Sequence, residues 1–305
     1  MTLDACLPPH LRGPETTITR MAMGFSGAAV YRVDAGGQTF VLKITDQAAP
    51  IDAWRRALRI QELAANASIT PRIVHSDEEH RAIVTAFVVD ESFAAILYNP
   101  PTRDAALDLA AATLKRLHRM PAPDSEYRDP MKFLSTTLAP MATDAVVPSF
   151  ARDAIQRLLA EKPPSSDRAM VLSHNDVNPT NLAYDGERVW LFDWDVAALN
   201  DPLYDLATLA MFFRMDDSAC RRLLAAYDGE SPAVLPERFL YNRRLVAVLC
   251  GALLVGGTEG AETLEDTPAL GEIYRRMMSG ALNIAAPEGR RAFGLALIKE
   301  GIMRG

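Results

Sequence analysis

The chain has 305 residues, 49% of them hydrophobic, and a formal net charge of −7. This is enough apolar material for two domains or one large one. The acidic balance and the lack of any run of Lys and Arg argue against a nucleic-acid-binding protein, since phosphate contacts need a basic stripe.

Three further features argue against export and a membrane span. Cys6, Cys220 and Cys250 lack disulfide or metal spacing, which favours buried thiols in a reducing compartment. The N-terminal segment lacks the pattern of a secretory signal. The apolar run that begins at Leu245 is too short for a bilayer, which takes roughly 20 residues, and predicts a buried helix. We therefore expect a cytoplasmic protein.

Residues 17–89 consist mostly of short predicted strands. The segment AAVYRVDAGGQTFVLKIT predicts a hairpin, because two β-rich runs flank Gly36 and Gly37. WRRALRIQELAANA has helical spacing, and RAIVTAFVV predicts another strand.

The chain then becomes mainly helical. Helices are predicted in RDAALDLAAATLKRLHRM, SFARDAIQRLLAEK, YDLATLAMFFRM, SACRRLLAAY, NRRLVAVLCGALLV and LGEIYRRMMSGALNIA. The exception is a pair of short strands around Asp185 and Gly186. A small sheet-rich lobe followed by a larger helical lobe is an α+β plan.

Residues 171–195, VLSHNDVNPTNLAYDGERVWLFDWD, place many polar side chains inside apparent sheet core. Asp176 and Asn181 lie on one predicted loop, and Asp193 follows an apolar strand. Their oxygens suit Mg²⁺, and a carboxylate free of metal would orient a hydroxyl, as hydroxyl phosphorylation requires. Taken singly, each residue is equally a turn former.

The joint pattern resembles a known family. HNDVNPTN followed by LFDWD is similar to the H-x-D-x-x-x-x-N motif and downstream Asp pair of the aminoglycoside phosphotransferase and choline/ethanolamine kinase family. The resemblance implies a bilobal protein-kinase-like fold, with a nucleotide-binding lobe at 1–88 and a catalytic, acceptor-binding lobe at 89–305. It also implies ATP and Mg²⁺ as cofactors.

The resemblance assigns nucleotide-binding roles upstream. MGFSGAAVYRV matches the family's nucleotide loop between the first two strands, and FVLKI matches the strand with the Lys that pairs with the phosphates. The next helix matches the one that carries the Glu that anchors this Lys. IVTAFVV matches the hinge segment that faces adenine. The residues concerned are Gly24, Ser26, Gly27, Lys43, Glu62, Ala86 and Val88. Glu78 and Glu79 are the alternatives to Glu62 as the anchor of Lys43.

The resemblance also assigns the chemistry. It makes Asp176 the catalytic base or the orienter of the acceptor hydroxyl, with Asn181 and Asp193 as Mg²⁺ ligands. Asp195 is either a ligand of a second metal or a structural acid.

Two neighbouring polar residues are expected to be structural. We interpret His174 as bonding loop backbone. Asp205 is expected to be a helix N-cap that supports the catalytic loop.

The acceptor is predicted as a small alcohol. Family members use aminoglycosides, choline, ethanolamine, thiamine, homoserine and some sugars, and HND, DWD and LNDPLYDLA resemble bacterial choline/ethanolamine kinases. Such an amine-bearing acceptor would be held by acids and aromatic faces. The acidic segment 259–272 is either the mouth of that site or a solvated loop.

Three other classes of protein fit the sequence less well. A mononuclear metal centre needs a second His, usually downstream, and none of the five histidines follows His174. No P-loop motif occurs. A nucleotide-binding pseudokinase used as an interaction module would be expected to lack the base, a metal ligand or the Lys, whereas all are present.

Overall fold

The computed structural model describes residues 2–21, 28–122, 130–142, 147–256, 260 and 262–303. The chain forms two compact units, one of Met1–Glu126 with Met170–Ser231 and one of Tyr127–Ala169 with Pro232–Gly305. The lobe boundary at residue 88 stays a prediction.

The first unit begins with a five-stranded antiparallel sheet in the order β1-β2-β3-β5-β4. Its strands are β1 (Thr17–Arg20), β2 (Ala29–Ala35), β3 (Gln38–Ile44), β4 (Ile73–Asp77) and β5 (Ala82–Ala86). The predicted hairpin is confirmed: Ala35 pairs with Gln38, and Gly36 and Gly37 have φ of 57° and 75°. Positive φ at both turn residues is what a two-residue hairpin loop requires, and glycine adopts it without strain.

Helix α1 (Ile51–Asn66) joins the two parts of this sheet along the chain. It buries Trp54, Ala57, Ile60 and Ala64, which recur at the three- and four-residue spacing of one helical face. The helix predicted here is confirmed. The sheet itself packs its apolar side against the N-terminal residues Cys6, Leu7 and Leu11.

The rest of the first unit carries the polar motif. It contains α2 (Phe93–Tyr98), α3 (Arg103–His118), β6 (Val171–Ser173), β7 (Leu182–Tyr184), β8 (Val189–Leu191), β9 (Ala198–Asn200), α6 (Pro202–Phe212) and α7 (Asp217–Asp228). Strands β7 and β8 pair as the hairpin predicted around Gly186. Every residue of α6 is buried, so this helix forms the interior support beneath the loop at 174–181.

The second unit consists of helices α4 (Pro130–Leu138), α5 (Ser149–Ala160), α8 (Glu237–Val255), α9 (Leu270–Met278) and α10 (Pro287–Met303). Helix α8 is the predicted buried helix. Helices α8 and α10 pack at close range, since a Cβ added at Gly251 would lie 2.5 Å from the carbonyl oxygen of Gly294. Helix α9 ends before the predicted segment does, because Gly280 takes a left-handed conformation with φ of 73°.

An antiparallel sheet in the N-terminal part and a mostly helical remainder confirm the predicted α+β class. Helices α2, α4 and α10 were not predicted. Cys6 and Cys220 are buried and Cys250 is half-buried. Among the described residues, no helix has both the length and the apolar character needed to cross a membrane.

Candidate active site

Lys43 links the N-terminal sheet to the polar motif. Its Nζ atom lies 2.8 Å from Oδ1 of Asp193 and 2.8 Å from Oδ1 of Asp195. Burial alone would lower the pKa of Lys43, but the two carboxylates outweigh burial and raise this pKa above its ordinary value. The lysine is therefore charged and holds both acids against β3, the central strand of the sheet.

Asp176 is oriented by two amide side chains. Oδ1 accepts a hydrogen bond from Nδ2 of Asn178 at 2.8 Å, and Oδ2 accepts one from Nδ2 of Asn181 at 2.7 Å. Burial raises the pKa of Asp176 above that of an ordinary aspartate, the Asp193 charge adds to this, and the amide hydrogen bonds oppose it. The result is a fixed carboxylate with a raised affinity for a proton, which suits a general base.

The two downstream acids differ from one another. Burial raises the pKa of both carboxyls, but the charge of Lys43 overcomes burial at Asp193 and lowers its pKa. The pKa of Asp195 stays raised by burial and by its negative neighbour Asp193. Asp193 also has φ of 63°, a left-handed conformation that is uncommon outside glycine and often marks functional sites.

The donor set is compatible with Mg²⁺. Lys43 pairs with Asp193 and Asp195, and the charge of Asp193 also acts on Asp176, so the three carboxylates outnumber the lysine when all are ionised. The amide nitrogen of Asn181 is bound to Asp176, so the atom with which Asn181 would bind a cation is its oxygen. Within the described residues no three His, Cys, Asp or Glu side chains cluster as a metal site, so phosphate and water would complete the shell, as is usual for Mg²⁺.

Asp205 anchors the loop of residues 174–181, which carries the candidate base Asp176, but not as the predicted N-cap. The N-cap of α6 is Asp201, whose Oδ1 accepts from the backbone N–H of Leu203 at 2.8 Å. Asp205 lies one turn later and is fully buried. Its two oxygens accept from the backbone N–H groups of His174 and Asn175, each at 2.8 Å. The prediction of a supporting role was correct and the prediction of capping was wrong, because Asp201 already fills the cap.

A buried histidine completes this anchor. Nε2 of His118 lies 3.1 Å from Oδ2 of Asp205, and Nδ1 lies 2.8 Å from the hydroxyl of Tyr227. The chain of contacts therefore runs from α7 through α3 and α6 to the backbone of the catalytic loop.

His174 is structural, as predicted. Its Nε2 donates to the backbone carbonyl of Phe192 at 2.8 Å, and its ring packs against the buried ring of Trp194 with centroids 4.8 Å apart. This bond ties the loop that carries Asp176 to the segment that carries Asp193.

Glu62 is not brought to Lys43. It lies exposed on α1, and among the described residues the acidic partners of Lys43 are Asp193 and Asp195. Glu78, an alternative anchor, pairs with Arg55 instead. The anchoring role of Glu62 stays a prediction.

The structure places only some of the residues that are predicted to face the nucleotide. Gly24, Ser26 and Gly27 lie outside the described residues. Ala86 ends β5, and its N–H donates to the carbonyl of Arg72 at 2.9 Å, so an adenine contact from Ala86 would use its carbonyl or side chain. Val88 follows on a half-buried connecting segment.

Sequence reasoning missed two residues that shape the site. Asn178 binds Asp176 directly, and Asn175 bonds the backbone carbonyl of Val196 at 3.1 Å while accepting from Asn200 at 2.7 Å. An Asn two positions after the candidate base was a usable signal, because Asn side chains commonly bond within such turns. The partnership with Asn200 had no local signal.

The acidic segment 259–272 is partly structural. Glu262 forms a two-point ion pair with the buried Arg291, with N–O distances of 2.8 and 2.6 Å. Asp266 accepts from the hydroxyl of Thr263 at 2.6 Å. Residues 259 and 261 lie outside the described residues.

Comparison with known proteins agrees with this geometry. The chain is 37% identical over 58 residues to "Protein LicA" of Haemophilus influenzae, a match that covers 19% of this chain and 22% of that protein. The chain thus spans about a fifth of the curated relatives that it matches.

Two solved structures share the fold over most of the chain. A choline/ethanolamine kinase family protein from Mesorhizobium loti has a TM-score of 0.64 and 20% identity, over 97% of this chain and 95% of that one. An aminoglycoside-3'-phosphotransferase of type VIII has a TM-score of 0.59 and 22% identity, over 78% of this chain and 94% of that one. The predicted kinase-like fold is confirmed.

The family assignment rests on a longer match. The model of the phosphotransferase enzyme family, APH, matches residues 17–239, which include the sheet that carries Lys43, the loop that carries Asp176 and the acids Asp193 and Asp195. With its motifs in family order and its fold shared with kinases, this chain belongs to the APH phosphotransferase enzyme family.

Proposed function

We propose that this phosphotransferase moves the γ-phosphate of ATP, in the presence of Mg²⁺, to the hydroxyl of a small amine-bearing alcohol such as choline or ethanolamine. The observation that carries the proposal is the pairing of Lys43 with Asp193 and Asp195 beside an amide-held Asp176. Phosphoryl transfer needs mainly positioned charge and one group that receives a proton, and this cluster supplies both.

Asp176 acts on the acceptor. Its carboxylate takes the hydroxyl proton while the acceptor oxygen bonds to the γ-phosphorus. The bond from that phosphorus to the bridging oxygen breaks, and ADP leaves. The hydrogen bonds from Asn178 and Asn181 keep the carboxylate in one orientation, so the acceptor meets a base that is already placed.

Lys43 and the two downstream acids act on the nucleotide. The charged Nζ of Lys43 is suited to phosphate oxygens, and Asp193, Asp195 and Asn181 present oxygens suited to a divalent cation. Mg²⁺, when bound, supplies neutralisation of the phosphate charge. Because Lys43 and a cation compete for the same carboxylates, we expect nucleotide binding to redistribute these contacts.

Structural similarity and the sequence motifs favour an amino alcohol as the acceptor. The Mesorhizobium loti structure belongs to a choline/ethanolamine kinase family protein and covers almost the whole chain. The aminoglycoside-3'-phosphotransferase supports the alternative of an aminoglycoside acceptor. Thiamine, homoserine and sugars are the other small alcohols to test, and an interaction module without turnover is the alternative of another class.

The test is MgATP-dependent ADP release across choline, ethanolamine, thiamine, homoserine and several aminoglycosides. The Asp176→Asn protein should lose about 100-fold or more in turnover, the usual contribution of a general base, while it still binds MgATP. Asp216→Asn is the matched control, because Asp216 is an exposed N-cap of α7 and Asn caps equally well.

Each outcome separates the alternatives. Turnover with choline or ethanolamine that disappears in Asp176→Asn supports the proposal. Turnover confined to an aminoglycoside refutes the acceptor and keeps the reaction. Full activity in Asp176→Asn refutes the role of Asp176, and absence of MgATP binding refutes the kinase reaction.

A further inference from the structure

An open cavity with charged side chains at its rim lies in the first unit, apart from the catalytic cluster. It has a volume of about 530 Å³ and opens between the C-terminal half of α3 and the turn that joins β7 to β8. Leu109 and Ala112 contribute apolar surface. This volume is within the range of cavities that hold small organic ligands, about 300–1,000 Å³.

Four cationic side chains surround this cavity. Lys115, Arg116 and Arg119 come from the end of α3, and Arg188 comes from the β7–β8 turn. The one acid in the lining is Glu187. The cavity is therefore strongly positive in a chain whose net charge is −7.

The protein itself neutralises these cations only in part: the charge of Asp185 acts on Arg188, whose guanidinium also lies 5.4 Å from the centre of the Trp190 ring. In the part of the chain that the structure describes, the one ion pair formed by any of these four cations joins Arg188 to Glu187. The distance from the guanidinium nitrogen to the carboxylate oxygen is 3.8 Å, and both side chains are largely exposed. The acids Asp104 and Asp108 of α3 face Arg222 instead, with Asp108 at 2.7 Å. Exposed pairs at such distances contribute little, so the positive charge remains available to a ligand.

Helix geometry accounts for only part of this arrangement. Cations in a last helical turn are favoured by the partial negative charge at the C-terminus, which explains Lys115 and Arg116. It does not explain Arg188, which reaches the same cavity from a different segment. Convergence of cations from two elements on one partly apolar cavity is what an anionic organic ligand requires.

The cavity is separate from the catalytic cluster. Strand β7 begins directly after Asn181, and β8 ends shortly before Asp193, so those residues lie at one end of the hairpin. Arg188 lies at the other end, across three-residue strands that span roughly 10 Å.

We propose that this cavity binds a small organic phosphate, with its phosphate among the arginines and its apolar body against Leu109 and Ala112. Arginine binds phosphate through paired charge-assisted hydrogen bonds, and the apolar surface favours an organic ester over the inorganic ion. This site goes beyond the proposed function and does not depend on the identity of the acceptor.

The test measures binding of naphthyl phosphate and of inorganic phosphate by calorimetry. The double variant Arg116→Ala/Arg119→Ala removes two exposed cations of the cavity, and Arg157→Ala/Arg275→Ala removes two exposed arginines elsewhere as a matched control. Lys43→Met separates this site from the nucleotide site. Neither arginine pair belongs to the catalytic cluster.

We expect the cavity variant to bind naphthyl phosphate at least about tenfold more weakly, from the loss of charge-assisted hydrogen bonds. The control pair and Lys43→Met should bind it as the unaltered protein does. No binding, equal loss in the control pair, or loss in Lys43→Met alone would overturn the site. Equal affinity for inorganic phosphate would overturn the organic character of the ligand.

Discussion

The substitution Asp205→Asn tests how the catalytic loop is held. Asp205 is fully buried in α6, and both of its oxygens accept backbone N–H groups, those of His174 and Asn175. Oδ2 also lies 3.1 Å from Nε2 of His118. Asparagine keeps the shape but replaces one oxygen with an NH₂ group, which turns a hydrogen bond into two donors facing each other.

The magnitude follows from these contacts. A hydrogen bond to a charged group stabilises by about 1.5–3 kcal/mol, and a buried donor left unpaired costs about 1–3 kcal/mol. One such bond lost and one donor left unpaired together lower the free energy of unfolding by about 2.5–6 kcal/mol. Because the same N–H groups position the residues before Asp176, we expect kcat to fall as well, with a smaller change in nucleotide affinity.

Urea unfolding and steady-state kinetics on the same preparation measure both effects. Asp216→Asn is again the control, since the exposed Asp216 caps α7 through one bond to Ala219 at 2.7 Å, and it should lose less than about 1 kcal/mol. If Asp205→Asn unfolds at the same urea concentration as the control with the same slope, Asp205 does not anchor the loop.

Three further outcomes are expected. Asp176 accepts a proton only when it is ionised, and its pKa is raised. As the pH decreases, kcat/KM should therefore fall with an apparent pKa above the ordinary aspartate value of about 3.9. A fall of kcat/KM at that ordinary value would contradict the role of Asp176 as the base. Lys43→Met should lower kcat/KM for MgATP by about 100-fold, as loss of a charge-stabilising donor does, and unchanged kinetics would exclude the phosphate role. Gly251→Ala should destabilise by about 1–3 kcal/mol because its Cβ would lie 2.5 Å from the carbonyl oxygen of Gly294. Gly13→Ala should leave the stability unchanged, because the structure has no neighbouring atom within 4 Å of the added Cβ. Equal thermal unfolding temperatures for the two variants would refute the close-packing argument.

The residues of the candidate site could be predicted where they belong to a local sequence pattern. Asp176, Asn181 and Asp193 stand out because polar residues interrupt apolar strands at fixed spacing. The structure bonds Asp176 to Asn181, and the charge of Asp193 acts on Asp176. The proposed pairing of Lys43 with Glu62 has no such local basis. Glu62 lies exposed on α1, and among the described residues the acids that pair with Lys43 on the central strand β3 are Asp193 and Asp195.

The sequence alone determined the elements whose signals are local. Gly36 and Gly37 specify the β2–β3 turn because they adopt positive φ, and the apolar period of α1 specifies its buried face. Only the tertiary structure decided that Lys43 meets Asp193, 150 residues later, and that the catalytic loop rests on Asp205, 31 residues beyond His174. Turn and helix signals act within a few residues, whereas these partners are brought together by the packing of separate elements, which no local spacing records.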